Sequence, residues 1–152
     1  MQKDNFAKNL LKDYPVIIDF PVVWGEMDVF KHVNNVHYIR YFESSRIKYF
    51  EALDYFPLID QGTGIILGSI SCKYKAPVKY PDHLYVGAKI YRVSHDRFWM
   101  KYAIVSSESK IITTEGDSVI VSYDYNINKK IPLPEIIKDR ILALEKDVIV
   151  DQ

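Results

Sequence analysis

Between Asp28 and Asn35 the chain gathers a carboxylate, an imidazole and two carboxamides, Asp28, His32, Asn34 and Asn35, inside the longer run Trp24 to Tyr38. An apolar strand-like run precedes this stretch and an amphipathic helical pattern follows it. The polar groups therefore sit at a strand-to-helix junction. A helix start leaves backbone N–H groups unpaired and carries the positive end of the helix dipole, so a developing negative charge can be held there. A carboxylate beside such donors suits acyl transfer. Asp28 can attack a carbonyl directly or act as general base on a water. Its spacing is equally that of a turn carboxylate accepting backbone N–H bonds, and the residues alone leave both readings open.

The neighbours carry the same duality. His32, four residues on, can orient Asp28 or bind water, and can equally brace the loop. Asn35 is a good helix cap, with Asn34 nearly as suitable, because a side-chain oxygen there accepts from orphan backbone donors. The second carboxamide then braces the loop or touches substrate. Glu43 lies two turns into the helix, where an ion pair with Arg46 or exposure to solvent is its ordinary fate. The four histidines, His32, His37, His83 and His95, have no ligand-like pairing, so no metal site is expected.

These groups have to be positioned by the elements around them. Asn5 to Lys12 suits a short helix with Phe6, Leu10 and Leu11 on one side, ended by Pro15. Val16 to Trp24 alternates, with Val16, Ile18, Phe20, Val22 and Trp24 on one face, which is a strand; Pro21 makes it an edge or a bulge. Val36 to Leu53 changes to helical spacing through Tyr38, Phe42, Ser45 and Tyr49. Strand rhythm returns after Gly64 and holds through Ile65 to Lys75, Leu84 to Ile90, Phe98 to Ile104 and Lys110 to Tyr125, with a bulge expected at Gly116. Tyr80-Pro81-Asp82 and Ser94-His95-Asp96 are the turns, and Glu135 to Lys146 is a terminal helix with Pro134 at its first turn. Short polar connections imply antiparallel neighbours. One long helix against one antiparallel sheet is a two-layer α+β domain. Its open edges make a homo-oligomer the natural completion.

The totals narrow the class. One domain spanning 1–152 fits this length, with 48% apolar and 26% charged residues. A net charge of zero argues against nucleic-acid binding. Twelve tyrosines favour sheet surfaces, groove walls and interfaces. Cys72 is the single cysteine, which removes any internal disulfide or cysteine-based metal cluster, and it reads as a small buried hydrophobe. No run approaches the ~20 apolar residues of a membrane span. Residues 1–14 include Lys3, Asp4, Lys8, Lys12 and Asp13 and lack a secretory core, so a cytoplasmic location is expected.

The residues Trp24-Gly25-Glu26-Met27-Asp28, His32-Val33-Asn34-Asn35, Tyr38, Tyr41, Glu43 and Arg46, with the turn Tyr74…Pro77…Tyr80-Pro81-Asp82, resemble the hotdog-fold 4-hydroxybenzoyl-CoA thioesterase family. The Tol-Pal-associated branch is the most similar, over roughly residues 16–134. The resemblance implies a long central helix wrapped by an antiparallel sheet of about five strands. It implies subunits paired edge to edge as a homodimer or homotetramer, with the thioester at the interface. It implies hydrolysis of acyl-CoA to free acid and CoA with no cofactor, Asp28 as the catalytic carboxylate, and the oxyanion donor at or near Asn35, Val36 and His37. Glu43 is a possible second carboxylate, since some hotdog thioesterases use one on the helix. The CoA phosphates would need cations such as Lys73, Lys75, Lys79, Arg92 or Arg97. Two departures stand out: Asn35 replaces the histidine of the Tol-Pal branch, and Phe30 replaces the asparagine of plant acyl-carrier-protein thioesterases. An acyl-carrier-protein substrate and a non-catalytic acyl-binding role remain as alternatives. A hydratase is disfavoured because Asp28-Val29-Phe30-Lys31-His32 lacks an Asn-Pro step.

Overall fold

The computed structural model describes residues 5–152; Lys3 and Asp4, part of the charged start noted above, lie outside the described residues. In chain order the elements are α1 (Asn5–Leu10), β1 (Val16–Pro21), α2 (Asn35–Ala52), α3 (Phe56–Ile59), β2 (Gly64–Tyr74), β3 (His83–Val93), β4 (Arg97–Ser106), β5 (Ile112–Asp124), β6 (Lys129–Lys130), α4 (Glu135–Leu144) and β7 (Ile149–Val150). The five long strands run in the order β1-β3-β4-β5-β2, every neighbouring pair antiparallel. The sheet curls around α2. Two short strands extend it: β6 pairs with β5, and β7 lies parallel to the end of β3.

The α2 stripe is the one its spacing predicts. Tyr38, Phe42, Ser45, Tyr49, Phe50 and Leu53 are buried, and Arg40, Glu43, Lys48 and Glu51 lie toward solvent. The buried set packs on Val86, Ala88, Ile90, Phe98, Met100, Tyr102, Ile104 and Ile120 from the concave face of the sheet, giving one main core. Arg46 lies within it instead of pairing with Glu43, and its Nη1 donates to the Tyr102 hydroxyl at 3.2 Å. Tyr102 in turn shares a 2.7 Å bond with the Ser118 hydroxyl. Burying this charge is tolerable because its polar partners are held opposite it on β4 and β5.

Several expectations are corrected by packing. Gly116 is no bulge: it pairs in register with Cys72 on one side and Tyr102 on the other. It is glycine because a Cβ there would stand 2.4 Å from a ring carbon of Phe42. The register shifts fall elsewhere, at Leu67/Ser69, Ile90/Arg92 and Ile104/Val105. The first strand stops at Pro21, and Trp24 opens a 3₁₀ turn with its side chain exposed rather than continuing the buried face. Cys72 is half-buried, not fully enclosed. The terminal helix ends at Leu144, and Pro134 caps it from outside the first turn. The short α3 was not foreseen.

Outside the sheet, Ala7 and Leu11 form a second, small cluster with Ala103 and Val105. The Tyr14 ring lies so close to Gly87 that a Cβ there would be 2.8 Å from it. At the other end of the chain, Glu145 is buried. It accepts from the Tyr49 hydroxyl and the Ile90 N–H, both at 2.7 Å, which fastens the end of α4 to α2 and β3.

Candidate active site

The junction between β1 and α2 is built as a closed loop on a braced base. At its base the Glu26 side chain accepts from the Val23 N–H at 2.8 Å, and its main-chain oxygen accepts from the Asn34 N–H at 2.9 Å. Met27 and Val33 face each other as an isolated bridge. Above that bridge the Asp28 N–H donates to the His32 oxygen at 3.0 Å and the Lys31 N–H to the Asp28 oxygen at 2.9 Å. Lys31 takes a positive φ of 60° to close the turn. The Val33 N–H donates to the Val78 oxygen at 2.8 Å, tying the loop to the segment that follows β2.

Asp28 is half-buried, and its Oδ1 accepts from the Phe30 N–H at 2.9 Å. The turn-forming reading of this carboxylate is therefore correct as far as it goes. Among the described residues Oδ2 has no hydrogen-bond donor, so one oxygen remains for other work. Asp28, His32 and Asn35 line one cleft of about 390 Å³, together with Val33, Tyr38, Tyr74, Lys75, Ala76 and Pro77. Three of the residues singled out from sequence thus meet in one place, opposite the end of β2.

The helix cap is Asn34, not Asn35: its Oδ1 accepts from the Val36 N–H at 3.2 Å. The His37 N–H donates to the Asn34 main-chain oxygen at 3.1 Å. Of the donors expected at the helix mouth, Val36 and His37 are thereby occupied. Among the described residues the Asn35 N–H has no acceptor. An unpaired N–H at the positive end of an 18-residue helix is a suitable seat for an oxyanion.

Val36 projects outward, and His37 turns toward Glu26, its Nδ1 3.5 Å from Oε2. Neither lines the cleft. Glu43 is exposed on the outer side of α2 and does not line it either. Lys75 lines the cleft but is paired with Glu115 at 2.8 Å. Arg92 is bonded to Asp151, and Arg97 to Asp96.

Sequence reasoning gave no role to Glu26, whose Oε2 also accepts from the Tyr41 hydroxyl at 2.7 Å. The available signal was its place three residues after Val23, the spacing of a side chain reaching back to a turn's first N–H. Nor was the aromatic lining foreseen as such. Burial raises the Tyr38 hydroxyl above the ordinary phenol range, and partial burial with a bond to the Cys72 thiol pushes Tyr74 up to about 12. Both therefore stay neutral donors across the physiological range. A larger hollow of about 830 Å³ lies beside α1 with an Asp19–His83 pair at 2.8 Å, but no N-terminus of a long helix opens into it.

Residues 22–141 match the model of the thioesterase-like superfamily. The chain belongs to that superfamily. Solved thioesterase structures superpose on it: one from Thermus thermophilus, complexed with coenzyme A and zinc, has a TM-score of 0.77 at 26% identity, over 88% of this chain and 97% of that one. A 1,4-dihydroxy-2-naphthoyl-CoA thioesterase from Synechocystis gives 0.74 at 21% identity, over 83% and 94%. A DHNA-CoA thioesterase from Staphylococcus aureus gives 0.73 at 22%, over 82% and 84%. The architecture of this superfamily member is the hotdog fold. Among proteins of curated function, none matches the chain in sequence. Among the described residues no helix is long and apolar enough to cross a membrane.

Proposed function

We propose that this member of the thioesterase-like superfamily hydrolyses acyl-CoA thioesters, with Asp28 as the catalytic carboxylate and the Asn35 N–H as oxyanion donor. The observation that carries the reading is that one cleft is lined by the half-buried Asp28 and by Asn35, whose N–H has no acceptor among the described residues. A thioester carbonyl lying between them would meet an attacker on one side and a donor on the other. As general base, Asp28 takes a proton from water, the hydroxyl oxygen bonds to the carbonyl carbon, and the oxyanion rests on the Asn35 N–H. Collapse breaks the C–S bond, and the protonated Asp28 returns its proton to the departing thiolate, releasing the thiol. As nucleophile, Asp28 itself bonds to the carbon, expels the thiolate, and a water opens the mixed anhydride. Either route returns the carboxylate. His32, in the same cleft, positions the attacking water or the thioester.

Coenzyme A bound to the Thermus thermophilus structure supports CoA as the thiol half of the substrate. The phrase from Asp28 through His32 to Arg46 favours the 4-hydroxybenzoyl-CoA thioesterase family and its Tol-Pal-associated branch, and the charged, non-secretory start of the chain favours a cytoplasmic setting. A homodimer or homotetramer is part of the proposal. Among the described residues strand β2 pairs only with β5, and its eleven residues leave one long edge open, with Ile66 and Leu67 exposed. Such an edge invites a second copy.

The test is Asp28→Asn. The carboxamide keeps the Phe30 bond through its oxygen, so the loop is expected to hold its shape. Thiol release from a panel of acyl-CoAs should fall by at least ~10²-fold, with circular dichroism and melting unchanged. Wild-type turnover in the folded variant would remove Asp28 from the mechanism.

A further inference from the structure

We infer that Glu26 is a positioning residue for this reaction, its carboxylate locking the turn that carries Asp28 to the helix that carries Asn35. The inference rests on the thioesterase reading of Asp28 and adds to it the group that sets attacker against oxyanion donor. Asp28 and Asn35 belong to different rigid pieces. Asp28 lies in the turn closed by its own main-chain bonds with Lys31 and His32, above the Met27–Val33 bridge. Asn35 is the first residue of α2. A closed turn keeps its shape, yet it can still tilt as a unit on its two arms. Tilting alters the separation of Asp28 from the helix start, and a displacement of about 1 Å in such a pair can cost ~10²-fold in rate.

Glu26 stands at the foot of the incoming arm, and its carboxylate reaches both pieces. Oε1 accepts from the Val23 N–H at 2.8 Å, which fixes the acid to the segment that leaves β1. Oε2 accepts from the Tyr41 hydroxyl at 2.7 Å, on the second turn of α2, and His37 Nδ1 on the first turn stands 3.5 Å away. Among the described residues, the Glu26–Tyr41 bond is the one side-chain hydrogen bond that joins residues 26–31 to α2. The Glu26 side chain is 16% exposed, so water competes weakly for these bonds.

Tyr41 is a fixed post for this bond. It is buried, with its ring centroid 4.9 Å from that of Phe20 and 6.0 Å from that of Tyr38. Burial and the facing carboxylate hold its hydroxyl above the ordinary phenol range, so it remains a donor at physiological pH. The outgoing arm leans on the same residue: the Glu26 main-chain oxygen accepts from the N–H of Asn34, the residue that caps α2.

The experiment measures kcat and KM on whichever of acetyl-, hexanoyl-, decanoyl- and benzoyl-CoA wild type turns over fastest. The variants are Glu26→Ala, Glu26→Gln, Tyr41→Phe and the double variant Glu26→Ala/Tyr41→Phe. Alanine frees the arm while leaving the main-chain bond to Asn34, so kcat should fall by about 10²-fold with KM within about threefold of wild type. Glutamine keeps an acceptor for Val23 and offers an N–H to the Tyr41 oxygen, so it should bring kcat back to within about threefold of wild type. Tyr41→Phe removes one bond to the carboxylate and should cost about tenfold. The double variant should be no slower than Glu26→Ala, because both changes cut the same link. Amide hydrogen exchange in Glu26→Ala should quicken at Asn34 and Val36 and stay unchanged at Tyr102 and Ile104 in the sheet.

Wild-type kcat or unaltered exchange in Glu26→Ala, a glutamine variant as slow as alanine, or losses that multiply in the double variant would each overturn the role given to Glu26. The thioesterase reading survives any of these if Asp28→Asn still slows turnover. Full activity in Asp28→Asn, or no thiol release from any of the four substrates by wild type, overturns that reading and this inference together. Tyr41→Phe loses a single oxygen from a packed ring, so it carries the test if Glu26→Ala fails to fold, and wild-type kcat in it would then refute the lock.

Discussion

Replacing Gly116 by alanine should be the most damaging one-carbon addition in the molecule. The added Cβ would lie 2.4, 2.7 and 3.0 Å from three ring carbons of Phe42. Carbon atoms in good contact stand about 3.5–4.0 Å apart, so the overlap exceeds about 1 Å at the nearest atom. The ring has nowhere to go: Phe42 is fully buried and stacked on Tyr102 at 4.9 Å. Tyr102 is itself held by Arg46 and Ser118. Overpacking of this kind costs about 1–3 kcal/mol, and the size of the overlap puts Gly116→Ala near the upper figure. For a chain of 152 residues the unfolding entropy is about 0.3 kcal/mol per kelvin, so Tm should fall by roughly 9 °C. Scanning calorimetry on wild type, Gly116→Ala, Phe42→Leu and the double variant forms a cycle. The two changes should couple by more than about 1 kcal/mol, because leucine relieves the overlap that alanine creates. A melting shift under about 3 °C, or strict additivity, would refute the claim that the Phe42 ring is why residue 116 lacks a side chain.

Two further perturbations test the frame of the site. Asn34→Ala removes the acceptor for the Val36 N–H and should cost about 1 kcal/mol in chemical denaturation at an unchanged m-value, with Asn34→Asp close to wild type. Equal midpoints for wild type and the alanine variant would show that the cap bond adds nothing. Glu145 is buried, and desolvation raises its pKa in the folded state despite the bonds from Tyr49 and Ile90. A raised folded pKa means its contribution is fully present below the unfolded value and drains away as pH climbs through the folded one. The stability of wild type relative to Glu145→Gln should therefore decline as pH rises above the ordinary glutamate value, and then level off once the folded group has ionised. A difference that stays constant would mean that Glu145 titrates in the folded protein as it does in the unfolded chain, and one that grows with pH would mean that folding lowers its pKa; either outcome refutes the effect of burial.

Legibility followed the range of the interaction. Period and turn chemistry are local, so α2 was placed to within a residue and the four strands after it were found. The carboxylate–imidazole–carboxamide phrase is local too, and it led to Asp28, His32 and Asn35 in one cleft. What escaped depends on partners far along the chain. The reason for Gly116 is a ring 74 positions earlier, as the two residue numbers show. Arg46 looked like a surface partner for Glu43 until the fold brought Tyr102 to it. Asn34 and Asn35 could be ordered only by the loop closure that sets which of them leaves the helical path, and that closure depends on Glu26. Tyr74 reads from sequence as one more aromatic on a strand, and only the fold brings it edge to face with Tyr38.

The amino-terminal segment has a practical bearing on how the molecule should be handled. Shortened forms that begin after Pro15 would strip Ala7, Leu11 and Tyr14 from the convex side, baring Ala103, Val105 and a bald patch of main chain at Gly87. Such truncations would be sticky in solution.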